Sequence, residues 1–341
     1  MINRQNWLDI RHYLHHVERV RQLDVETISR NRAHLRHLLE WADENLLGKA
    51  KQIDPTFPTY LLGVPLSSSS IVRGLSVVRG FYNYARTEWP GRYRTTSENW
   101  VAMLQPPRLA RADSRLRVHQ YWKLEDVLKI TAVSTETLHQ ERGKVAVAML
   151  FLSGMRADAL ATIPVSCVNL AAGQLMQDPQ QGVRTKNRKA AITYFLPIPE
   201  LMQVVEAWDR RVRVLSPNAL WYATLTSDST SVTETTRAFV GRNNVIERDV
   251  RLICELAGVP YLSPHKLRHG HVVYALKKAK NMAEMKAISQ NVMHASVTIT
   301  DQVYGDLVGD DVKDTIASLG QQASGNIEAR LEELLKLIRE K

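Results

Sequence analysis

The sequence predicts a mainly α-helical protein with a small antiparallel β-sheet in its second half, arranged as two domains. Three observations carry this expectation. The chain has 341 residues, more than one domain usually holds. Apolar residues recur at three- and four-residue intervals through the first hundred positions, the period of amphipathic helices. Between residues 173 and 197 the segments GQLMQ, GVRTK and AAITYFLP cluster β-favouring residues around the turn-prone DPQQG and KNRK, which reads as a hairpin-bearing sheet.

From Asn6 to about Leu104 the helical stripes are explicit: Leu35, Leu38, Leu39 and Trp41 in one segment, Ile71, Leu75, Val78, Phe81 and Tyr82 in another. Residues 51–70 carry three prolines and end in SSSS, so they connect these helices, and the serines can cap the second. Residues 105–120 combine Pro106 and Pro107 with Arg108, Arg111, Arg115 and Arg117, the composition of an exposed basic linker. The expected organisation is therefore a helical domain over 1–107, a linker over 108–120, a second domain over 121–323 and a terminal amphipathic helix over 324–341. Within the second domain, HQERGKVAVAMLFLSG reads as a helix whose apolar end at 145–152 is buried, and TSDSTSVTETT reads as a loop. The last segment places Ile327, Leu331, Leu334, Leu335 and Ile338 on one face, to pack on its own domain or on a neighbouring protomer.

Forty-five Lys and Arg against 35 Asp and Glu leave a net charge of +10, which suits a polyanionic partner. No apolar run approaches the roughly 20 residues that span a bilayer. The N-terminal stretch lacks the features of a signal peptide, and Cys167 and Cys254 have neither metal-ligand nor redox spacing. These features predict a soluble protein of a reducing cytosol, with no membrane partner and no metal or other cofactor.

The densest chemistry lies in SPHKLRHGHVVYAL, residues 263–276, where Ser263 and Pro264 suit a helix start and His265, Lys266, Arg268, His269 and His271 follow. His265 and Arg268, three apart, share a helix face. Three further segments complement it: Arg156 in FLSGMRADAL, Lys186 in GVRTKNRKAAITYFLP, and His294 with Tyr304 in NVMHASVTITDQVYGDL. Arginine forks suit phosphate oxygens, and imidazole and ammonium groups can move protons near a phosphodiester. A tyrosine hydroxyl, with an ordinary pKa of about 10, needs such company to act as a nucleophile. Taken singly, each residue also suits ordinary solvation or packing, and His269 and His271 read as structural.

In this order the motifs resemble the tyrosine recombinases of the phage integrase family across nearly the whole chain. GMR followed by ADALATIPVSCVNL is similar to the family's G-L-R helix, TKNRKAAITYFLP to its lysine-bearing hairpin, and HKLRH to its H-x-L-R-H box. Met293, His294, Ala295, Ser296, Thr300 and Tyr304 are similar to its late histidine and tyrosine. The resemblance implies a helical core-binding domain and an integrase-like α+β catalytic domain in a clamp architecture. It implies that Arg156 and Arg268 bind the scissile phosphate, His294 bonds a non-bridging oxygen and His265 assists proton transfer. Lys186 would protonate the leaving 5′ oxygen, and Tyr304 would form a 3′-phosphotyrosine.

The implied partner is double-stranded DNA, bound by a homo-oligomer that is a tetramer in the synaptic complex, with an accessory DNA-bending or directionality factor. The setting would be bacterial, cytoplasmic and nucleoid-associated. Arg73, Arg79, Arg92 and Arg94, with the linker arginines, would face DNA. Neighbouring readings are a topoisomerase IB-like or hairpin-forming nicking-closing enzyme and a decayed DNA-binding protein. Three positions depart from the family pattern. Ala159 stands where an acidic residue is usual, with Asp158 one place earlier. Met293 replaces the glycine before the late histidine, and Lys186 has Arg184, Arg188 and Lys189 as rivals.

Overall fold

The computed structural model describes residues 1–23, 25–107, 120–239 and 241–294. The backbone divides into two compact units, Met1–Val118 and His119–Lys341. Among the described residues no helix is long and apolar enough to cross a membrane.

The first unit is helical. Helices α1 (Arg4–Arg19), α2 (Val25–Ala42), the short α3 (Phe57–Tyr60), α4 (Ser68–Glu88) and α5 (Glu98–Ala102) enclose one apolar core. The stripes read from the sequence are its interior: Leu35, Leu38, Leu39, Trp41, Ile71, Leu75, Val78, Phe81 and Tyr82 are all buried. Asn3 caps α1 and Ser67 caps α4 through side-chain oxygens that accept from backbone amides of the first turn. One carboxylate lies inside this core, and its charge is fully engaged. Asp9 accepts from Arg92 Nη1 at 2.5 Å, Tyr93 Oη at 2.8 Å and Gln5 Nε2 at 2.8 Å.

The second unit is built around α7 (Leu138–Ser153), which follows α6 (Leu124–Ala132). A capping box between Thr137 and Gln140 starts α7, and every residue from Val145 to Ser153 is buried, so this helix is enclosed on all sides. Gly143 lets the next layer approach: a Cβ there would lie 2.4 Å from the carbonyl oxygen of Asp249. Around α7 come α8 (Ala157–Thr162), α9 (Pro199–Val212), α10 (Asn243–Ala257), α11 (His265–Lys278) and α12 (Met282–Asn291).

A three-stranded antiparallel sheet runs in the order β1 (Val168–Asn169), β2 (Gln174–Gln177), β3 (Ala191–Tyr194), with Leu175 opposite Thr193 and Met176 opposite Ile192. Two details differ from the sequence expectation. GVRTK is not a strand, because its amides are used elsewhere: Val183 N–H bonds the Asp178 carbonyl and Arg184 N–H bonds Thr162 Oγ1 at 2.8 Å. TSDSTSVTETT is not wholly a loop. Its Val232–Thr233 forms β5 and pairs with β4 (Thr224–Leu225), drawn in by β-branched side chains whose hydroxyls bond across the pair, Thr233 Oγ1 to Thr224 Oγ1 at 2.8 Å.

Candidate active site

The first candidate cation sits on a corner that only glycine permits. Helix α7 ends at Gly154 with φ +63°, and a Cβ at that position would meet His271 Cδ2 at 2.7 Å and Val292 Cγ1 at 2.8 Å. Met155 is buried and anchors the turn, and Arg156, half-buried, stands at the N-cap of α8 with an extended backbone. Ala159 is buried, whereas Asp158 is exposed and its carboxylate makes no hydrogen bond or ion pair among the described residues.

Helix α8 is held instead by a buried arginine that nothing in its local sequence marks. Arg242 donates from Nε to the Ala161 carbonyl at 3.0 Å and from Nη2 to that of Tyr222. Burial, then the nearby charge of Arg142, lowers Arg242 to about 10. Arg142 is itself paired with the buried carboxylate of Asp249.

Helix α11 carries the central group. It begins at His265, with Pro264 at the cap and no side-chain cap from Ser263, so the serine expected to start this helix does not do so. One turn later Arg268 is 2% exposed. Its Nη1 donates to the Gly154 carbonyl at 2.6 Å and its Nη2 to the Val292 carbonyl. Arg268 thereby joins the corner that bears Arg156 to the turn that bears His294. Behind it, His271 is buried and bonds the Phe151 carbonyl through Nδ1 at 2.7 Å, which fixes its neutral Nδ1–H form. Burial pushes that imidazole down to about 4.

His294 follows α12 through a left-handed turn. Met293 has φ +56°, its N–H bonds the Gln290 carbonyl at 2.8 Å, and the His294 N–H bonds the Ser289 carbonyl at 3.0 Å. This pair of bonds is a Schellman motif, in which glycine is the usual left-handed residue. The turn is therefore made without the expected glycine, at a steric cost.

Electrostatics bring the separate groups together. Burial, then the positive charges of Arg268 and Arg156, with His265 and Lys186 beyond them, lowers His294 to about 4. His265 keeps much of its surface open to solvent, but atoms packed around its ring desolvate it, and Arg268, Arg156, Lys266 and Lys186 depress its pKa further. Its ring lies edge-on to His269, with centroids 4.8 Å apart. Lys186 is exposed on the connection between β2 and β3, where Asn187 and Arg188 adopt positive φ and Thr185 Oγ1 bonds the Lys189 carbonyl at 2.7 Å. Its rival Arg184 donates to the Ala238 carbonyl at 3.3 Å. Arg156, Lys186, His265, Arg268 and His294 thus occupy one neighbourhood, with neutral imidazoles among cations near pH 7.

Of the other candidates, Arg73 and Arg94 are exposed. Arg79 donates to the Leu104 carbonyl at 3.2 Å, and Arg92 serves Asp9, so both have structural tasks in the first unit. Arg108, Arg111, Arg115, Arg117, Tyr304 and the terminal helix lie outside the described residues. Among the described residues no group of three or more His, Cys, Asp or Glu could hold a metal ion.

No family model matches the sequence. The chain is similar to tyrosine recombinase XerC of Pelobacter propionicus, 24% identical over 302 residues that span 86% of this chain and 89% of the relative. It is also similar to tyrosine recombinase XerC of Pseudomonas fluorescens, 24% identical over 298 residues, 86% of this chain and 89% of that one. Its fold is that of a lambda integrase dimer bound to a COC′ core site, at a TM-score of 0.59 and 15% identity over 86% of this chain and 76% of that one. The same holds for the Tn1549 transposon integrase in complex with transposon right end DNA, at 0.59 and 12% over 90% and 98%.

Two outcomes are expected from this geometry. Met293→Gly relieves a left-handed side chain whose cost is about 1–2 kcal/mol, partly offset by the freer unfolded glycine. Denaturant titration is expected to show a gain of about 0.5–1 kcal/mol. His271, ordinarily near 6.5 and held at about 4 when folded, lets the unfolded chain bind its proton first as acid is added. Its contribution is full above pH 6.5 and fades as pH falls toward 4, a loss of about 3 kcal/mol. His271→Gln is expected to flatten stability against pH across that window.

Proposed function

We propose that this chain is a tyrosine recombinase that cleaves and rejoins duplex DNA through a 3′-phosphotyrosyl intermediate. The observation that carries this reading is the convergence of Arg156, Lys186, His265 and Arg268 on the surroundings of His294, from segments up to 138 residues apart. Such a cationic cluster suits one phosphodiester. The similarity to named tyrosine recombinases, and the fold common to DNA-bound integrases, supports the same chemistry.

In this reading Arg156 and Arg268 bind the non-bridging oxygens. Preorganised donors aimed at the charge of the pentavalent transition state lower the barrier with no reorganisation at the moment of reaction. His294 is neutral before DNA arrives and donates a ring N–H to a non-bridging oxygen. The phosphate's negative charge offsets the surrounding cations, so binding raises the histidine's pKa and strengthens that bond.

The Tyr304 oxygen attacks phosphorus in line, its proton passing toward His265, whose depressed pKa keeps it a base near neutrality. The P–O5′ bond breaks and Lys186 supplies the proton to the leaving oxygen. The phosphotyrosine retains the energy of the original ester, so a second 5′ hydroxyl can reverse the step. The partner is double-stranded DNA, held by a homo-oligomer on paired sites, and exposed cations such as Arg73 and Arg94 contribute backbone contacts. Binding accordingly weakens steeply with salt.

The test is covalent capture. Duplexes enriched from a random pool by binding to the protein are nicked near the cleavage position, so that a short fragment escapes and traps the intermediate. The native chain is expected to form a protease-sensitive adduct, and Tyr304→Phe to bind the same DNA and form none. An undiminished adduct with Tyr304→Phe identifies another nucleophile, and no adduct with the native chain favours a DNA-binding protein without the chemistry.

A further inference from the structure

Strand β3 lies at an edge of the three-stranded sheet, so among the described residues one side of its backbone has no strand partner. At Tyr194 a side chain takes that place. The Asn291 carboxamide accepts from the Tyr194 N–H through Oδ1 at 2.7 Å and donates from Nδ2 to the Tyr194 carbonyl at 3.0 Å. A carboxamide offers the same donor and acceptor as a peptide group, so Asn291 completes the edge as a one-residue strand would. The neighbouring residue adds a second tie. Thr193 Oγ1 donates to the Asn291 carbonyl at 3.1 Å while accepting from Gln177 Nε2 at 2.6 Å, and both Thr193 and Gln177 are buried.

These bonds link two pieces of the site that come from distant parts of the chain. Asn291 is the last residue of α12 and lies three positions before His294. Strand β3 begins five residues after Lys186. The His294 turn has independent supports, namely the Arg268 bond to Val292 and the Schellman pair. The Lys186 connection is exposed from residue 186 to residue 190, so its position relative to the turn depends on how β3 is held.

We infer that Asn291 is a positioning residue that fixes the lysine-bearing hairpin against the His294 turn, and so delivers the Lys186 ammonium to the leaving oxygen. The inference rests on the reading of Lys186 as proton donor. It distinguishes the carboxamide from its relatives. The carboxylate of Asn291→Asp would accept from the Tyr194 N–H but face the Tyr194 carbonyl with a second acceptor, and the methyl group of Asn291→Ala would make neither bond.

The experiment separates positioning of the proton donor from general damage to the fold. Cleavage by the full chain is measured on two versions of the same duplex, one with the ordinary 5′ oxygen and one with sulfur at the bridging 5′ position. A thiol, with a pKa near 8.5, leaves without being protonated, so the sulfur substrate does not need the lysine. Lys186→Ala is expected to cleave the oxygen substrate poorly and to recover on sulfur. Asn291→Ala and Asn291→Asp are expected to lose about tenfold or more on oxygen and to recover to within about threefold of the native chain on sulfur. Thr193→Val, which removes the second tie at nearly constant volume, is expected to show the same pattern to a smaller degree and serves if the Asn291 variants fold poorly. Equal losses on both substrates, or no loss on oxygen, with Lys186→Ala rescued, overturn the role of Asn291 alone. Failure of sulfur to rescue Lys186→Ala overturns the reading of Lys186, and the positioning role with it.

Discussion

The guanidinium of Arg268, buried between the carbonyls of Gly154 and Val292, is the constraint on which the rest of the site depends. A buried cation is tolerated only where its donors are engaged, so the fork dictates where those two carbonyls lie. Gly154 is two residues before Arg156 and Val292 two before His294. One side chain on α11 therefore sets the positions of two others, from segments that share no local sequence. The enclosed helix α7 makes this possible by supplying a rigid floor whose glycine-ended corner can approach His271 and Val292 closely.

The same arrangement explains the electrostatics. Burial disfavours the charged imidazole and the gathered cations repel any added proton, so His265 and His294 stay neutral in the free protein. The cluster is complementary to an anion. Its repulsion is a cost carried by the fold. An anionic phosphate relieves that repulsion on binding, which favours the charged transition state over the empty site.

Much of this was legible in the sequence. The helical stripes predicted the first unit's core, since a period of three to four positions has a single packing solution, and the apolar run at 145–152 predicted an enclosed helix. The candidate cations were legible as chemistry because arginine, lysine and histidine in that order have a recognisable joint use. The supports were not. Arg242 acts through the carbonyls of Ala161 and Tyr222, 81 and 20 positions away, and Asn291 through the N–H and carbonyl of Tyr194, 97 positions away, and neither residue carries a mark of such partners in its local sequence. The Met293 turn was obscured for the opposite reason: hydrogen bonds at Gln290 and Ser289 override a residue preference of about 1–2 kcal/mol. GVRTK misled because its amides pair with a turn and a threonine hydroxyl, which periodicity does not register.

That Arg156 and His294 share one neighbourhood is open to a direct measurement, the titration of His294 by NMR in the native chain and in Arg156→Gln. The partly exposed arginine can be replaced without disturbing the buried Arg268 fork. A native pKa of about 4 is expected, rising by about half a unit or more when the positive charge is removed. A His294 pKa that is the same in both proteins, or that already lies near 6.5 in the native one, would contradict the shared neighbourhood.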